Sequence, residues 1–418
     1  MTTRRDFLAA GAASLLAGGA LVDASAATEL TDALLRETTE GAGDYLLSPG
    51  LVYLNTGSTG PSTKAVLERT ITAWRQLETN PVRQAYDGTE GLLGSAEKVR
   101  EQVAVFLGCT TEELLITRST SEGMNTVAQS MKLNAGDRVL STDQEHEGGT
   151  DCWRYLASRR GIVLDTVAIT EEMDDRAIVA TIDAGIRKET KAISVSHVLW
   201  TTGRKLPVAE IAAVARQKGV LCVVDGAQAV GGMPVDVKAL GCHAYATTGH
   251  KWLLGPKGIG LLYISADAAD AIKPVQWMSG KRFVSGSTGV GPLVLVMGLG
   301  AAIEAATARG VADIEQHNLA LRNRAYAALS KITKVRMRSG APGPTVSALV
   351  SFELPASIDS RALMQTLTMK HAVQVKSFAK PFNGMRLSPH VFNTTADVDK
   401  ALNAIKEELD SMQRSAGG

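Results

Sequence analysis

The stretch VLCVVDGAQ, residues 220–228, decides the fold, because five apolar residues run without a break and end at Asp225. A strand that is apolar on both faces belongs in the middle of a parallel sheet covered by helices. In an open α/β sheet, ligands bind outside the carboxyl ends of such strands. Residues 220–228 therefore predict a central strand with a candidate ligand-binding carboxylate at its end.

Six further short apolar runs alternate with helix-period stretches across residues 61–268, which is the pattern of a parallel sheet covered by helices. Residues 94–107 and 208–218 are two of the amphipathic stretches between the runs. We therefore predict an α/β fold whose large domain holds a mostly parallel seven-stranded sheet. The seven predicted strands are 114–117, 138–141, 162–167, 192–195, 220–224, 244–247 and 259–264.

The C-terminal part reads as a smaller α+β domain. Long helical patterns cover residues 293–309 and 314–332, and the Gly- and Pro-rich segment 339–344 then breaks the chain. The last helix carries an apolar face, with Thr394 or Thr395 as its N-cap. The predicted domains are an N-terminal arm (27–60), a large domain (61–292), and a long linking helix with the small domain (293–418). The small domain is predicted to contain strand 347–352, helix 360–371, strand 373–376, strand 385–388 and helix 396–412.

Residues 1–26 have the composition of a signal peptide with a twin-arginine start. Arg4 and Arg5 precede an uncharged run that ends at Val22, and small residues suit cleavage after Ala26. The run is shorter than the roughly 20 residues that cross a bilayer, although a retained anchor is the alternative. We expect export by the twin-arginine machinery to the periplasm or beyond, with no membrane contact after signal removal. This route suits a protein that binds a cofactor before it crosses.

The composition excludes several classes of partner. Lys and Arg number 44 against 43 Asp and Glu, and no basic cluster is interleaved with aromatic residues, so no nucleic-acid partner is expected. The four cysteines form no CxxC pair and no metal-ligand spacing, so no metal is predicted and a disulfide stays open. Cys222 lies in an apolar run and is predicted to be a buried small hydrophobe.

Polar residues gather after four of the predicted strands. Asp225 needs a cation if it is buried, and a protonated pyridine nitrogen is one such cation. Lys251 lies in a Gly-bounded turn where partial burial favours the nucleophilic free amine. Thr120 and Ser121 precede a helix whose N-terminus suits a phosphate, and His146 suits stacking on a flat ring. Each residue alone has an ordinary structural interpretation, but together they predict a carbonyl cofactor, pyridoxal phosphate, bound to Lys251.

The chain resembles the class V enzymes of the aspartate-aminotransferase fold, which use pyridoxal phosphate. That group includes cysteine desulfurases, kynureninases and isopenicillin N epimerase. The resemblance spans almost all of the chain after the signal, and residues 74–81 and the triplet 250–252 look most like the isopenicillin-N-epimerase-like branch. The stretches that carry the resemblance are 53–61, 117–125, 145–146, 224–228, 249–260, 385–390 and 393–394.

The resemblance implies a role for each matching residue. Lys251 would be the Schiff-base lysine, Asp225 the partner of the ring nitrogen and His146 the residue that stacks on the ring, so these three are the implied catalytic residues. Gln228 would hydrogen-bond the phenolic oxygen, and Arg386 would bind the substrate carboxylate, as a planar two-toothed donor can. The resemblance also implies a homodimer, in which Ser287 or Thr288 reaches the partner's phosphate. The other implied positions are Thr120, Ser121, Thr248 and His250 for the phosphate, and Asn55 and Trp200 for the substrate.

The reaction implied is transamination or epimerisation at the α-carbon of an amino acid or an amino-acid-derived peptide. Desulfurases carry a nucleophilic cysteine shortly before the carboxylate-binding arginine, but residues 376–384 contain none. A persulfide-forming desulfurase is therefore disfavoured, whereas a C–S or other β-elimination lyase without that cysteine remains an alternative. Trp200 stands where many relatives have asparagine, and His243 where they commonly have aspartate.

Three unrelated functions compete with this interpretation. A nucleotide-binding dehydrogenase is disfavoured because no GxGxxG follows a strand and no GxxxxGK[ST] occurs. An exported binding protein that kept the fold is opposed by the intact Lys251, Asp225 and Arg386. A metal hydrolase fits no zinc spacing. Its candidate ligands would be Asp143, Glu145, His146, Glu147, Cys152 and His197.

Overall fold

The computed structural model describes residues 43–273 and 291–416, with side chains described up to residue 412. The proposed signal, residues 27–42 of the predicted arm, and the positions Ser287 and Thr288 lie outside the described residues.

The described strands form three sheets. Seven strands lie in the order β2-β8-β7-β6-β5-β3-β4, four in the order β12-β13-β10-β9, and β1 pairs with β11. The strands are β1 (Val52–Tyr53), β2 (Leu114–Thr117), β3 (Arg138–Thr142), β4 (Val163–Val167), β5 (Thr190–Ser196), β6 (Leu221–Asp225), β7 (Ala244–Thr248), β8 (Gly260–Ile264), β9 (Arg336–Met337), β10 (Val350–Glu353), β11 (Val373–Gln374), β12 (Lys376–Phe378) and β13 (Gly384–Leu387).

The large sheet confirms the prediction of a mostly parallel seven-stranded sheet. Strands β3 to β7 pair in parallel, whereas β8 runs antiparallel to both of its neighbours, β2 and β7. In β6, Cys222 and Val224 join the hydrophobic cluster on one face of the sheet and Val223 joins the cluster on the other. This burial on both faces is the physical reason that residues 220–224 read as a continuous apolar run.

Helices cover both faces of this sheet and surround the small one. Gly123 lets helix α4 approach the sheet, because a Cβ there would lie 2.8 Å from the Ala246 Cβ. The helices are α1 (Lys64–Thr79), α2 (Pro81–Tyr86), α3 (Leu92–Leu107), α4 (Thr120–Ser130), α5 (Glu147–Arg160), α6 (Asp175–Gly185), α7 (Val208–Gln217), α8 (Val237–Leu240), α9 (Leu293–Arg309), α10 (Val311–Leu329), α11 (Ser360–His371) and α12 (Thr395–Ala416).

The structure assigns the N-cap of α12 to Thr394. Its hydroxyl accepts a hydrogen bond from the Asp397 N–H at 3.2 Å, and the Asp397 carboxylate accepts one from the Thr394 N–H at 2.8 Å. These two reciprocal bonds satisfy N–H groups that a helix start leaves free.

Two large hydrophobic clusters hold the helices and strands together. The larger gathers α1, α3, α7 and α9 against the large sheet, and the smaller gathers β1, β10, β13 and helices α10 to α12. Helix α9 therefore packs with the large cluster, and β1 packs with the small one. The predicted domain boundaries remain predictions.

The strand pairing outside the large sheet corrects one predicted element and adds two strands. Residues 373–376, predicted as one strand, are split, because β11 pairs in parallel with β1 whereas β12 pairs antiparallel with β13. Strands β1 and β9 were not predicted, since two residues show no periodicity that a pattern can reveal.

Among the described residues, no single helix is long and apolar enough to cross a membrane. Only α9 and α10 together meet that test of length and composition, as a pair bent by 78°.

Candidate active site

A cavity lies at the carboxyl ends of β5, β6 and β7, where the sequence predicted the ligand. Eight of the residues predicted to bind the cofactor line it together with Trp200. The predicted residues in its wall are Thr120, Ser121, His146, Asp225, Gln228, Thr248, His250 and Lys251, and the others are Ser119, Gly148, Ser196, Val198, Trp200 and Ala227.

Lys251 lies in the tight loop that follows β7. The Gly60 N–H donates a hydrogen bond of 2.8 Å to the His250 carbonyl, and a Cβ on Gly60 would lie 2.2 Å from the Lys251 carbonyl oxygen. The loop is thus held against residues 55–60 by a contact that only glycine allows. Burial lowers the pKa of Lys251 to about 8, helped by the Arg386 cation and opposed by Asp225. With that pKa, about 10% of this amine is the nucleophilic free base at pH 7, far more than for an ordinary lysine.

Asp225 ends β6 with its carboxylate buried, and its side chain is 7% exposed. One oxygen accepts a hydrogen bond from the Ala227 N–H at 2.9 Å, so the residue forms a local turn and caps no helix. Helix α5 passes so close that a Cβ on Gly149 would lie 2.7 Å from the other oxygen. Burial raises the pKa of Asp225, which a neighbouring cation would reverse. The residue therefore fits a protonated ring nitrogen.

His146 is the N-cap of α5, and its ring lies at the wall of the cavity. Its Nδ1 accepts a hydrogen bond of 3.0 Å from the Gly148 N–H, so the ring is neutral with its proton on Nε2. The ring meets Trp200 edge to face, with centroids 5.0 Å apart. The loop after β3 thus presents an oriented aromatic face to the ligand.

The start of α4 and the end of β7 form a polar corner of the cavity. The Thr120 hydroxyl is buried without a hydrogen-bond partner among the described residues, at the start of α4. The Ser119 hydroxyl caps the Glu122 N–H at 3.2 Å, and the positive end of the helix dipole favours an anion there. Thr248 Oγ1 lies 2.6 Å from His250 Nδ1, and burial lowers the pKa of His250 to about 4, so this histidine is neutral. The unpartnered Thr120 hydroxyl is the kind of donor that a phosphate requires.

Replacing Thr120 by valine is expected to weaken cofactor binding by roughly tenfold, because one hydrogen bond to a charged phosphate is lost. The visible absorbance that remains after dialysis measures how much cofactor each variant retains. Thr126→Val, further along the same helix, is the matched control. Equal cofactor retention in both variants would show that Thr120 does not bind the phosphate.

The side-chain amide of Gln228 makes two hydrogen bonds within the protein. Its Oε1 accepts a hydrogen bond from the Trp252 indole at 2.8 Å, and its Nε2 donates to the Gly57 carbonyl at 2.9 Å. Since the amide carries a second hydrogen, one donor remains for a ring oxygen.

Arg386 projects from β13 and is 2% exposed. It donates to the Trp200 carbonyl at 2.5 Å and to the Ser58 hydroxyl at 3.3 Å, while its Nε is buried without a partner. Burial lowers the pKa of Arg386 to about 10, and no described carboxylate acts on it. A buried, unpaired guanidinium beside Lys251 is a site prepared for a carboxylate.

The other two predicted substrate residues lie beside Arg386 or at the cavity. The Asn55 side-chain oxygen is buried without a hydrogen-bond partner, and Asn55 bridges to Ser388 of the segment after β13. The Trp200 ring is held edge to face against Phe378 as well as His146, at 5.3 Å between centroids.

Sequence reasoning missed the role of Glu145, which it considered only as a metal ligand. Glu145 accepts hydrogen bonds from the Ser196 hydroxyl and, at 2.8 Å, from the Thr142 hydroxyl. Since Ser196 lies opposite Asp225 in the sheet, these bonds fasten the loop that carries His146 to the strand beside β6. The Glu-His pair in the sequence is the only signal that could have revealed it. Burial, opposed by the two hydroxyls, raises the pKa of Glu145 to about 7.

Glu145 is expected to make stability depend on pH. The folded protein keeps this proton up to about pH 7, whereas the unfolded chain releases it near 4.5, so its contribution is full below pH 4.5 and is lost as pH rises through 7. The melting temperature of Glu145→Gln is therefore expected to fall less than that of the wild type when the pH rises from 5 to 7.5. Thermal unfolding of both proteins in matched buffers measures this difference, and parallel curves would contradict it.

The candidate metal ligands do not converge. His197 Nδ1 lies 2.9 Å from the Tyr245 hydroxyl, and Cys152 is buried in the hydrophobic cluster under α5. Among the described residues, the one group of three possible ligand side chains is His371, Glu407 and Glu408, where Lys370 already pairs with both glutamates. The geometry therefore gives no support to the metal hydrolase.

None of the four cysteines is a candidate nucleophile. Burial raises the pKa of Cys109, Cys152 and Cys222 to about 12, and Cys222 is fully buried, as predicted. The segment where desulfurases carry their cysteine forms β12 and the turn to β13, and it brings Phe378 to the cavity side instead.

Comparison with known proteins agrees with this geometry. The profile of the Aminotransferase class-V family matches residues 52–401. The chain is 30% identical to the isopenicillin N epimerase of Amycolatopsis lactamdurans, over 86% of this chain and 96% of that protein. It is also 30% identical to a cysteine desulfurase of Yersinia pestis bv. Antiqua (strain Angola), over 85% of this chain and 93% of that protein.

A solved structure with the same fold contains the cofactor with an amino acid covalently attached to it. It is a C-DES variant with glycine covalently linked to the PLP cofactor, with a TM-score of 0.77 and 25% identity, covering 85% of this chain and 96% of that one. The chain belongs to the class V aminotransferase family and is a pyridoxal-phosphate-dependent enzyme.

Proposed function

We propose that the protein acts at the α-carbon of an amino acid or an amino-acid-derived peptide, as a transaminase or epimerase, with Lys251 as the covalent attachment residue. The observation that carries this proposal is the buried, unpaired Arg386 beside Lys251. It supports a substrate that carries both an amine and a carboxylate.

The cofactor, when bound, supplies an electron sink for the pair of electrons left when a bond to the α-carbon breaks. Asp225 would hold the proton on the ring nitrogen of the cofactor, and His146 would pack against its ring. Arg386 would bind the substrate carboxylate and so orient the substrate in the site. Lys251 would move the proton at the α-carbon, since its lowered pKa suits a base near neutral pH.

β-Elimination is the second candidate, because it begins with the same proton removal. A cystine C–S lyase shares this fold at a TM-score of 0.78 and 24% identity, which supports the fold alone. Persulfide formation on a cysteine of this chain is disfavoured, since all four thiols are away from the cavity wall.

We also propose that the twin-arginine segment exports the folded enzyme to the periplasm or beyond, and that two copies form a homodimer in which Ser287 or Thr288 serves the partner's site. Fractionation of cells and mass measurement of the mature N-terminus test the first proposal. The mass of the purified protein in solution tests the second.

One experiment separates the candidate reactions. The cofactor-loaded enzyme is incubated in D₂O with amino acids and small peptides, and products are followed by mass and visible absorbance. Deuterium at the α-carbon with inversion indicates epimerisation, a keto acid without loss of the β-substituent indicates transamination, and release of sulfide or another β-substituent indicates elimination. No change with any amino-group substrate would overturn the proposal.

A further inference from the structure

One face of the small sheet carries two neighbouring cations, Lys376 and Arg386. Strands β12 and β13 run antiparallel, with Lys376 opposite Arg386 and Phe378 opposite Gly384. Directly opposite residues in such a pair project to the same face, with Cβ atoms about 5 Å apart. Lys376, Phe378 and Arg386 therefore share one face of the sheet.

The contacts identify that face as the one toward the active site. Arg386 donates to the Trp200 carbonyl, and Phe378 packs on the Trp200 ring. The alternate residues point the other way, since Met385 belongs to the small hydrophobic cluster and the Ser377 hydroxyl contacts Met364 of α11. Lys376 thus lies on the side of the loop that holds Trp200.

Two like charges opposite each other on a strand pair are destabilising unless an anion lies near. Neither cation has one within the described part of the chain. The influences on the pKa of Lys376 are burial and Arg386, both of which lower it, and burial alone lowers that of Arg386. Two like charges that lie opposite each other with no neighbouring anion destabilise the fold, and such uncompensated pairs are typical of functional sites.

The chain therefore has more positive charge at this site than one α-carboxylate requires. Arg386 alone can bind a carboxylate through its buried, unpartnered Nε and its amine groups. Lys376 is half-buried and ends in a flexible ammonium group that Phe378, two residues along the same face, flanks with apolar surface.

We propose that Lys376 is a specificity-determining residue that binds a second anionic group of the substrate, beside the carboxylate held by Arg386. The substrate class is an amino acid or short peptide whose side chain carries a carboxylate or another anion. This assignment rests on the proposed function, because the role of Arg386 is part of that function.

The test compares L-glutamate with L-glutamine, which differ in one charge and little in shape. Binding is measured by the change in visible absorbance of the cofactor-loaded protein. The wild type is expected to bind glutamate at least tenfold more tightly, since a charge-assisted contact is worth roughly 10- to 100-fold. Lys376→Met is expected to lose that preference with glutamine binding unchanged, and Lys376→Arg to keep it. Lys380→Met, an exposed lysine on the same segment, is the matched control and keeps the preference.

A pH series distinguishes a charge contact from a structural role. The glutamate preference of the wild type is expected to fall as pH rises, because the lowered pKa of Lys376 removes its charge early, whereas Lys376→Arg retains the preference. Equal binding of the two amino acids by the wild type, or equal weakening of both in Lys376→Met, would overturn the assignment of Lys376. Binding of amino acids with neutral side chains but not of glutamate would overturn it too.

The two proposals fail in distinguishable ways. If no amino acid changes the absorbance and borohydride finds no adduct on Lys251, the proposed function is wrong and the role of Lys376 falls with it. If the adduct is present and neutral amino acids change the spectrum, the proposed function stands and only the role of Lys376 is tested by glutamate.

Discussion

Lys251→Ala is expected to abolish the borohydride-reducible adduct and the visible absorbance of the attached cofactor. Turnover is expected to fall by about 10³-fold or more, because the variant loses both the attachment amine and the proton-transfer base. The magnitude follows from the position of Lys251 between Asp225 and Arg386, where no other described lysine is available to replace it.

Lys257→Ala is the matched control, since Lys257 is exposed in the same loop and its amine contacts only the Ser62 hydroxyl among the described hydrogen bonds. Peptide mapping after borohydride reduction locates the adduct, and absorbance spectra follow the cofactor. An adduct on a different lysine, or a wild type without one, would contradict the assignment.

Arg386→Ala is expected to weaken substrate binding by about 2 kcal/mol or more, roughly 30-fold, while the cofactor stays bound. The loss is large because Arg386 is buried and its Nε has no hydrogen-bond partner among the described residues. Titration of the visible absorbance with substrate measures the binding, and the absorbance of the untreated variant reports the cofactor.

Arg336→Ala controls for loss of an exposed arginine of the small sheet, and Arg386→Lys should recover part of the binding because it restores charge without the planar fork. Loss of the cofactor from Arg386→Ala would show that Arg386 supports the ring and not the carboxylate.

Burial patterns made the large sheet predictable. Cys222 to Val224 are covered on both faces of the sheet, so their continuous apolar run predicts the position of β6 directly. The polar residues after β6 and β7 were predictable for a related reason, since a chain that leaves a buried strand must place its polar groups at the strand end.

Pairing register was not predictable, because it joins residues far apart in the chain. Nothing local indicates that Lys376 lies opposite Arg386, or that the Ser58 hydroxyl accepts a hydrogen bond from that arginine. The role of Glu145 depends on Ser196 in a different strand, for the same reason. Sequence patterns therefore locate the cofactor side of the site better than the substrate side.

The pairing of β1 with β11 has a consequence for synthesis of the protein. Val52 pairs with Val373, near the other end of the chain, and the same N-terminal segment supplies Asn55 and Ser58 to the substrate side. A chain emerging from the ribosome can thus complete the large sheet before β11 exists, but it cannot assemble the carboxylate site. Catalytic competence arises only after translation is nearly finished, so a prematurely terminated chain is expected to be inactive even where its sheet is folded.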